Sequence, residues 1–373
     1  MEGDERSLRI GFDLTVANVD QAGTGIYARS VFDAMRDLDD GTSLVGFAGA
    51  PPRAMDAPKT AASRLETLRR DLLWTHVLLP IHAARAKVDL LHVPTSVIPL
   101  VRPCPTVVTV LGTTVLDRPH DLTLWHRSYS RVMLPFAVRR AQRVITISES
   151  SRQDIVRHLD VPKRQISVTP LAASPAFRRL TPDERADSLR RWVGGPFVLT
   201  VGTVQPRKNI KGLLRAMVHL KAAGRTWPLI HAGPLGWHYQ DTLQEIDRLG
   251  LEGSVRFLGR VPLPELVTLY NMASVFVYPS FYEGFGLPVL EAMACGCPVI
   301  ASNTSSLPEV VGEAGLLIDP RSAEAIADAI TVVMEDKRLA SRLADAGLER
   351  AAEFSWRRCA QETVECYRLA LGV

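Results

Sequence analysis

Residues 275–301 read VFVYPSFYEGFGLPVLEAMACGCPVIA, and this stretch decides the fold. Val275–Pro279 is a continuous apolar run that reads as a buried strand, and Pro288–Ala294 reads as a helix. Pro288 suits the first turn of that helix, and Gly296 followed by Pro298 ends it. Val299–Ala301 starts another buried strand. Strands that are apolar throughout and alternate with helices belong to a parallel sheet covered on both faces.

The alternation extends in both directions. Toward the N-terminus, strands are expected at Leu8–Leu14, Ser43–Phe47, Leu90–Val93, Thr106–Leu111, Arg143–Ser148 and Ile166–Thr169. Helices are expected at Ile26–Leu38, Arg64–Ala84, Tyr129–Ala141 and Ser151–His158. In the second of these, Leu65, Leu68, Leu72, Leu73 and Val77 share one face. Ala172–Trp192 breaks the rhythm with Pro175, Pro182 and a run of charges, and reads as a linker. The pattern restarts with strands at Phe197–Val201, Leu229–Ala232 and Val255–Leu258 and helices at Ile210–Ala223, Tyr239–Leu249 and Pro264–Met272. Helices at Ala323–Glu335 and about Trp356–Leu371 close it. The fold class is α/β, with two doubly wound Rossmann-like domains: residues 1–172, residues 173–355 and a terminal helix over 356–373. Ligands of such folds sit at the carboxyl ends of the strands, so the cleft between the two halves is the expected site.

Composition narrows the class. The 373 residues are 46% hydrophobic and 23% charged, with a formal net charge of +4, the mix of a globular enzyme. The charge excludes a polybasic, histone-like protein and gives no reason to expect nucleic acid. It is compatible with weak peripheral contact to an anionic membrane face. The acidic opening Met-Glu-Gly-Asp-Glu-Arg does not read as a signal peptide, so none is expected, and no apolar run approaches about 20 residues. Cys104, Cys295, Cys297, Cys359 and Cys366 lack metal-ligand spacing and fit a reducing compartment, so a cytoplasmic location is expected.

Three constellations carry chemistry. The first is Tyr282-Glu283-Gly284-Phe285-Gly286-Leu287-Pro288 with Glu291. Its glycines let the backbone approach a ligand, and the helix start aims amides and a positive dipole end at an anion. A carboxylate beside an anion site suits a sugar diol. The second is Gly202-Thr203-Val204-Gln205-Pro206-Arg207-Lys208-Asn209, whose paired cations after a strand suit a diphosphate. The third, Gly23-Thr24-Gly25-Ile26-Tyr27-Ala28, matches the dinucleotide fingerprint in letters. Strand one ends near Leu14, too early for the tight turn that fingerprint needs, and the next strand supplies no ribose-binding acid. It reads as a glycine loop near a phosphate or an acceptor, or as a plain cap. Asp37-Leu38-Asp39 has a metal-binding shape but reads as a solvated turn. The Arg-rich helical stretches Arg64–Leu79 and Arg131–Arg143 read as exposed helix sides, with a membrane-surface face as the alternative.

With these motifs the chain resembles glycosyltransferase family 4, retaining enzymes of the GT-B fold, over nearly its whole length. The most specific likeness is Glu283 through Glu291, the family's E-x7-E motif. Gly202–Asn209, Val255–Val261, Ile145–Ser148 and Phe354–Trp356 support it. The resemblance implies that Glu291 binds the donor ribose and Glu283 contacts the transferred sugar. It implies that Lys208 and Arg207 neutralise the leaving diphosphate, and that amides of Gly284, Phe285, Gly286 and Leu287 hold phosphate or sugar. Arg260 and Val261 would meet the base, and Gly25 would lie under the diphosphate. In the family the terminal helix crosses back to the N-terminal domain.

Two positions depart from the family pattern. Leu111-Gly112 stands where the family usually has His-Asp, and His120 is the candidate substitute. Thr203 stands where many members carry Arg, and Arg207 is the candidate compensation.

The implied activity is retaining transfer of a sugar from a nucleotide-diphosphate sugar to an acceptor hydroxyl, as a metal-independent hexosyltransferase without a cofactor. The Pro-Arg-Lys-Asn form resembles mannosyl- and rhamnosyltransferases, so GDP-mannose is the first donor expectation and a dTDP-deoxysugar the second. A glycan, a lipid-linked intermediate or a natural product is the expected acceptor. The alternatives are a GT-B sugar-nucleotide epimerase, a nucleotide-sugar-binding protein with little turnover, and the nicotinamide dehydrogenase that the Gly23 motif invites.

Overall fold

The computed structural model describes residues 7–19, 23–49, 72–117, 124–184, 195–236 and 239–373. The chain divides into two compact units, residues 1–171 with 355–373, and residues 172–354.

The first unit is built on a six-stranded sheet. Its strands are β1 (Leu8–Asp13), β2 (Thr42–Phe47), β3 (Leu90–Val93), β4 (Thr106–Val110), β5 (Arg143–Thr146) and β6 (Ile166–Val168). The order is β2-β1-β3-β4-β5-β6, and every pairing is parallel. All residues of β3 and β4 are buried, including His92 and Thr109, which bond each other at 2.7 Å. Helix α1 (Gly23–Arg36) and the terminal helix Trp356–Leu371 pack on each other in this unit. Ser355 caps the terminal helix by accepting from the Arg358 amide.

The second unit carries β7 (Val198–Val201), β8 (Leu229–Ala232), β9 (Val255–Phe257), β10 (Val275–Tyr278), β11 (Val299–Ser302) and β12 (Leu316–Ile318). Their order is β12-β11-β10-β7-β8-β9, again all parallel. The strand order reverses between β7 and β10, and that reversal is where a doubly wound sheet opens a crevice for ligand. Helices α2 (Ile210–Ala222), α3 (Leu263–Met272) and α4 (Leu287–Ala294) follow β7, β9 and β10.

Three differences from the sequence reading stand out. A short helix, Thr15–Val19, follows β1, and the glycine motif falls inside the first turn of α1 rather than in a loop before it. This agrees with the physical objection to a dinucleotide turn at Gly23. The expected helix Arg64–Ala84 lies outside the described residues up to 71, then runs through a π-helical turn at Trp74–Leu78 before Leu79–Arg85. Pro80 opens that last segment and cannot donate a helical hydrogen bond. The turn brings Trp74 into the core at 6% exposure and leaves Leu72, Leu73 and Val77 exposed, so the apolar stripe does not face inward there. Asp37 and Asp39 are exposed beyond α1, as a solvated turn requires. All five cysteines are free thiols. Among the described residues, no helix is long and apolar enough to cross a membrane.

Candidate active site

β7 and β10 are paired neighbours, so the loops leaving their carboxyl ends lie side by side. Backbone bonds tie them: the Phe281 amide donates to the Arg207 carbonyl at 2.8 Å. The Ser280 hydroxyl donates to the same carbonyl at 3.0 Å. Pro206–Lys208 is a single 3-10 turn. Asn209 locks it by capping α2 through the Gly212 amide and donating to the Pro320 carbonyl at 2.6 Å.

Glu283 lies at the centre of this arrangement, 7% exposed beside a Lys208 that is 8% exposed. Its Oε1 sits 2.7 Å from Lys208 Nζ and 2.8 Å from Arg207 Nη1. The Ser280 hydroxyl, whose one proton is shared between this oxygen and the Arg207 carbonyl, lies 2.6 Å from Oε1. Burial opposes ionisation of Glu283, but Arg207 and Lys208 outweigh it and hold the carboxyl down at about 2. Burial pulls Lys208 down to about 8 against the support of Glu283. Lys208 Nζ also contacts the Tyr278 hydroxyl and lies 4.6 Å from that ring's centroid. One carboxylate thus faces two cations, and the charge left over favours an anion.

Glu291 stands one turn into α4, since the helix starts at Leu287 rather than Pro288. The residue is only partly covered, yet its carboxyl is set deep enough that burial pushes it up to about 7. The Tyr270 hydroxyl, from α3, donates to its Oε2 at 3.0 Å. Gly286 precedes α4 with φ +118°, and no side chain caps the helix. The amides at Phe285, Gly286 and Leu287 therefore head a helix start that suits an anion. Ser305 and Ser306 brace the approach: Ser305 Oγ accepts from the Glu283 amide at 3.0 Å. Ser306 Oγ donates to the Phe285 carbonyl at 2.7 Å.

The structure brings Arg207, Lys208, Glu283, Gly284, Phe285, Gly286, Leu287 and Glu291 to this one end of the second sheet. Thr203 sits on the loop after β7, half-buried. Arg260 and Val261 follow β9 at the sheet edge, and Arg260 is exposed. Their loop is joined to the loop after the neighbouring β8 by the Gly233 amide donating to the Gly259 carbonyl at 2.7 Å. Gly25 is buried in α1 of the first unit. Its neighbour Thr24 lines a cavity of about 400 Å³ at the carboxyl ends of that unit's strands, with Thr95, Ser96, Thr109, Leu111 and Gly112. His120 lies outside the described residues. Sequence reasoning missed Ser280, Tyr278, Tyr270, Ser305 and Ser306. Only Ser280 carried a usable cue, as a hydroxyl three residues before Glu283.

Comparison with known proteins agrees with this architecture. A family model described as "Glycosyl transferases group 1" matches residues 183–350, and one described as "Glycosyltransferase Family 4" matches residues 22–176. The chain is 42% identical over 246 residues to O-antigen chain mannosyltransferase B of Escherichia coli, a match covering 65% of this chain and 64% of that protein. It is 32% identical to the serotype-specific mannosyltransferase WbdA of the same species, covering 61% of this chain and 28% of that one. A D-inositol 3-phosphate glycosyltransferase of Corynebacterium glutamicum is 34% identical, with 60% and 56% covered. The chain thus spans less than two thirds of the length of these relatives. Among solved structures, sucrose-phosphate synthase of Thermosynechococcus elongatus superposes with TM-score 0.77 at 22% identity, covering 98% of this chain and 99% of that one. HepE of Anabaena, solved in complex with UDP and glucose, gives TM-score 0.72 at 19% identity, covering 97% and 100%.

Proposed function

The chain belongs to glycosyltransferase family 4, and from that premise we propose that it is a retaining hexosyltransferase taking its sugar from a nucleotide-diphosphate donor bound at the carboxyl end of the second sheet. The observation that carries the proposal is the Glu283–Lys208–Arg207 cluster, where two cations at 2.7 and 2.8 Å share one buried carboxylate.

The transition state of sugar transfer is oxocarbenium-like, and negative charge builds on the departing phosphate. Lys208 and Arg207 face that charge, and each well-aimed contact of this kind is worth roughly 3 kcal/mol. Because Glu283 already holds both cations in place, they need not reorganise as the bond breaks. Glu283 also presents a fixed negative group to the sugar's developing positive charge. Glu291 accepts from the ribose hydroxyls, the amides heading α4 hold phosphate or sugar, and Arg260 and Val261 lie toward the base. The leaving phosphate accepts the acceptor's proton on the same face, which retains configuration. The chemistry requires no metal.

Mannose is the transferred sugar that the similarity to mannosyltransferases favours, with GDP-mannose as donor and a glycan as acceptor. The dTDP-deoxysugar stands second. Neither an epimerase nor a non-catalytic binding protein is favoured by these relatives. Incubation with GDP-mannose and mannose-terminated oligosaccharides, with the product's linkage read by NMR, tests the proposal. An α-linked product whose formation requires acceptor supports it. Release of GDP at the same rate with and without acceptor, or an inverted linkage, contradicts it.

A further inference from the structure

We propose that Tyr270 is a positioning residue of the donor site: its hydroxyl holds the Glu291 carboxylate as an acceptor toward the ribose hydroxyls and so sets donor affinity near neutral pH. This rests on the reading of Glu291 as the ribose contact.

Tyr270 is fully buried on α3. A phenylalanine would fill the same space without a hydroxyl to satisfy, and a buried hydroxyl is costly unless it is bonded. Its partner is Glu291 Oε2, at 3.0 Å. Engaging Oε2 leaves Oε1 to accept from a sugar diol. The ring is fixed edge-on by Phe177, with centroids 5.8 Å apart, and by Phe276, at 5.4 Å. Phe276 stacks on Tyr278 at 5.7 Å, and the Tyr278 ring lies under Lys208. A single aromatic row therefore backs both the ribose-facing carboxylate and the phosphate-facing cation.

The groups that face Glu291 are Tyr270 from α3, Tyr278 from β10, Lys208 from the turn after β7 and Cys295 at the C-terminal cap of α4. Burial favours the protonated acid, while the Tyr270 hydroxyl and Lys208 favour the carboxylate. Loss of the Tyr270 hydroxyl keeps Glu291 protonated to higher pH. Donor affinity relative to wild type then falls near neutrality, and the deficit closes as pH rises, since Lys208 titrates alike in both proteins.

The test is calorimetric titration of GDP, UDP, dTDP and ADP from pH 6 to 9 into wild type, Tyr270→Phe and Glu291→Gln, following the tightest of the four. Tyr270→Phe keeps the ring and its packing. It is expected to weaken binding about fivefold at pH 7 and about tenfold at pH 6, the effect of about one pKa unit on a carboxyl that titrates near 7, and to converge on wild type by pH 9. Glu291→Gln is expected to bind weakly and to show no loss of affinity below pH 7, keeping only the decline that Lys208 gives wild type and variants alike as pH rises through about 8. Tyr270→Phe matching wild type at pH 7, or weakened by the same factor at every pH, would overturn the proposal. So would a wild-type affinity that does not fall below about pH 7, a result that needs no variant. If Glu291→Gln binds normally, the ribose role fails and the proposal with it. If wild type binds none of the four, the transferase reading itself fails.

Discussion

Lys208 is buried with a carboxylate, an arrangement that stabilises the fold little and costs desolvation of both charges. Its use is electrostatic. Lys208→Ala is expected to lower kcat by about 100-fold or more while the protein stays folded. Turnover within about threefold of wild type would contradict its leaving-group role. Glu291 makes the opposite kind of prediction. Its carboxyl titrates at about 7 in the folded protein, against 4.5 for the ordinary group. Folding therefore favours the protonated form: the associated stability is fully present below pH 4.5 and is lost as pH rises through 7. Glu291→Gln, which cannot ionise, is expected to be more stable than wild type at pH 8, by up to about 3 kcal/mol. At pH 5 the gain is expected to be less than about 1 kcal/mol. Urea unfolding at the two pH values checks this, and an equal effect at both would contradict it. A substitution that strengthens the fold while weakening the ligand is what a binding group held at a cost produces. Glu283 was legible as a site residue because it stands directly before the glycines. Tyr270 was not, because one tyrosine in an apolar helix face looks like ordinary core until its partner is known.

The most demanding element is the entry to α4. Gly286 has φ +118°, and a Cβ there would lie 2.7 Å from Leu307 Cδ2. Gly286→Ala is expected to destabilise the protein by about 1–3 kcal/mol through backbone strain and crowding. It also displaces the amides that head the helix, so nucleotide affinity is expected to fall with stability. Normal affinity in a folded Gly286→Ala protein would show that those amides do not touch the ligand. Gly233 is a second such position, with φ +147°, where a Cβ would collide with the Gly202 carbonyl oxygen. The long, unbroken elements were legible because burial on both faces leaves continuous apolar strands and period 3.6 marks the helices. Short elements were not. Leu307–Val311 and Leu316–Ile318 are brief and flank Gly312 and Gly315, which mask their periodicity. Lys337–Ala352 went unread because only Asp336 separates it from the helix before it. Asp336 ends one helix in extended geometry and caps the next through the Arg338 and Leu339 amides. At the π turn, the reading of the local period failed because Trp74 took the inward place of the leucines.

At the scale of the whole molecule, the strand orders say most. The second sheet reverses between β7 and β10, and the cations arrive from one of these strands while both glutamates follow the other. The alternation of elements predicted a doubly wound sheet, but strand order is set by packing across the sheet and could not be read from the chain. The first sheet opens its own cavity beside Thr24 and Leu111-Gly112, where the sequence departs from its family. The central claim is that the second unit binds a nucleoside diphosphate through Lys208, Glu283 and Glu291. The measurement that tests it most directly is a thermal-melt panel with GDP, UDP, dTDP, ADP and NAD in EDTA, on wild type and Lys208→Ala. A ligand at 100 times its Kd adds about 2.7 kcal/mol to the native state, which for units of this size raises Tm by roughly 5–10 °C. The account predicts that one nucleoside diphosphate, GDP first, produces such a shift in wild type despite EDTA and a much smaller one in Lys208→Ala. A panel in which no diphosphate moves the melt, or only NAD does, would contradict it.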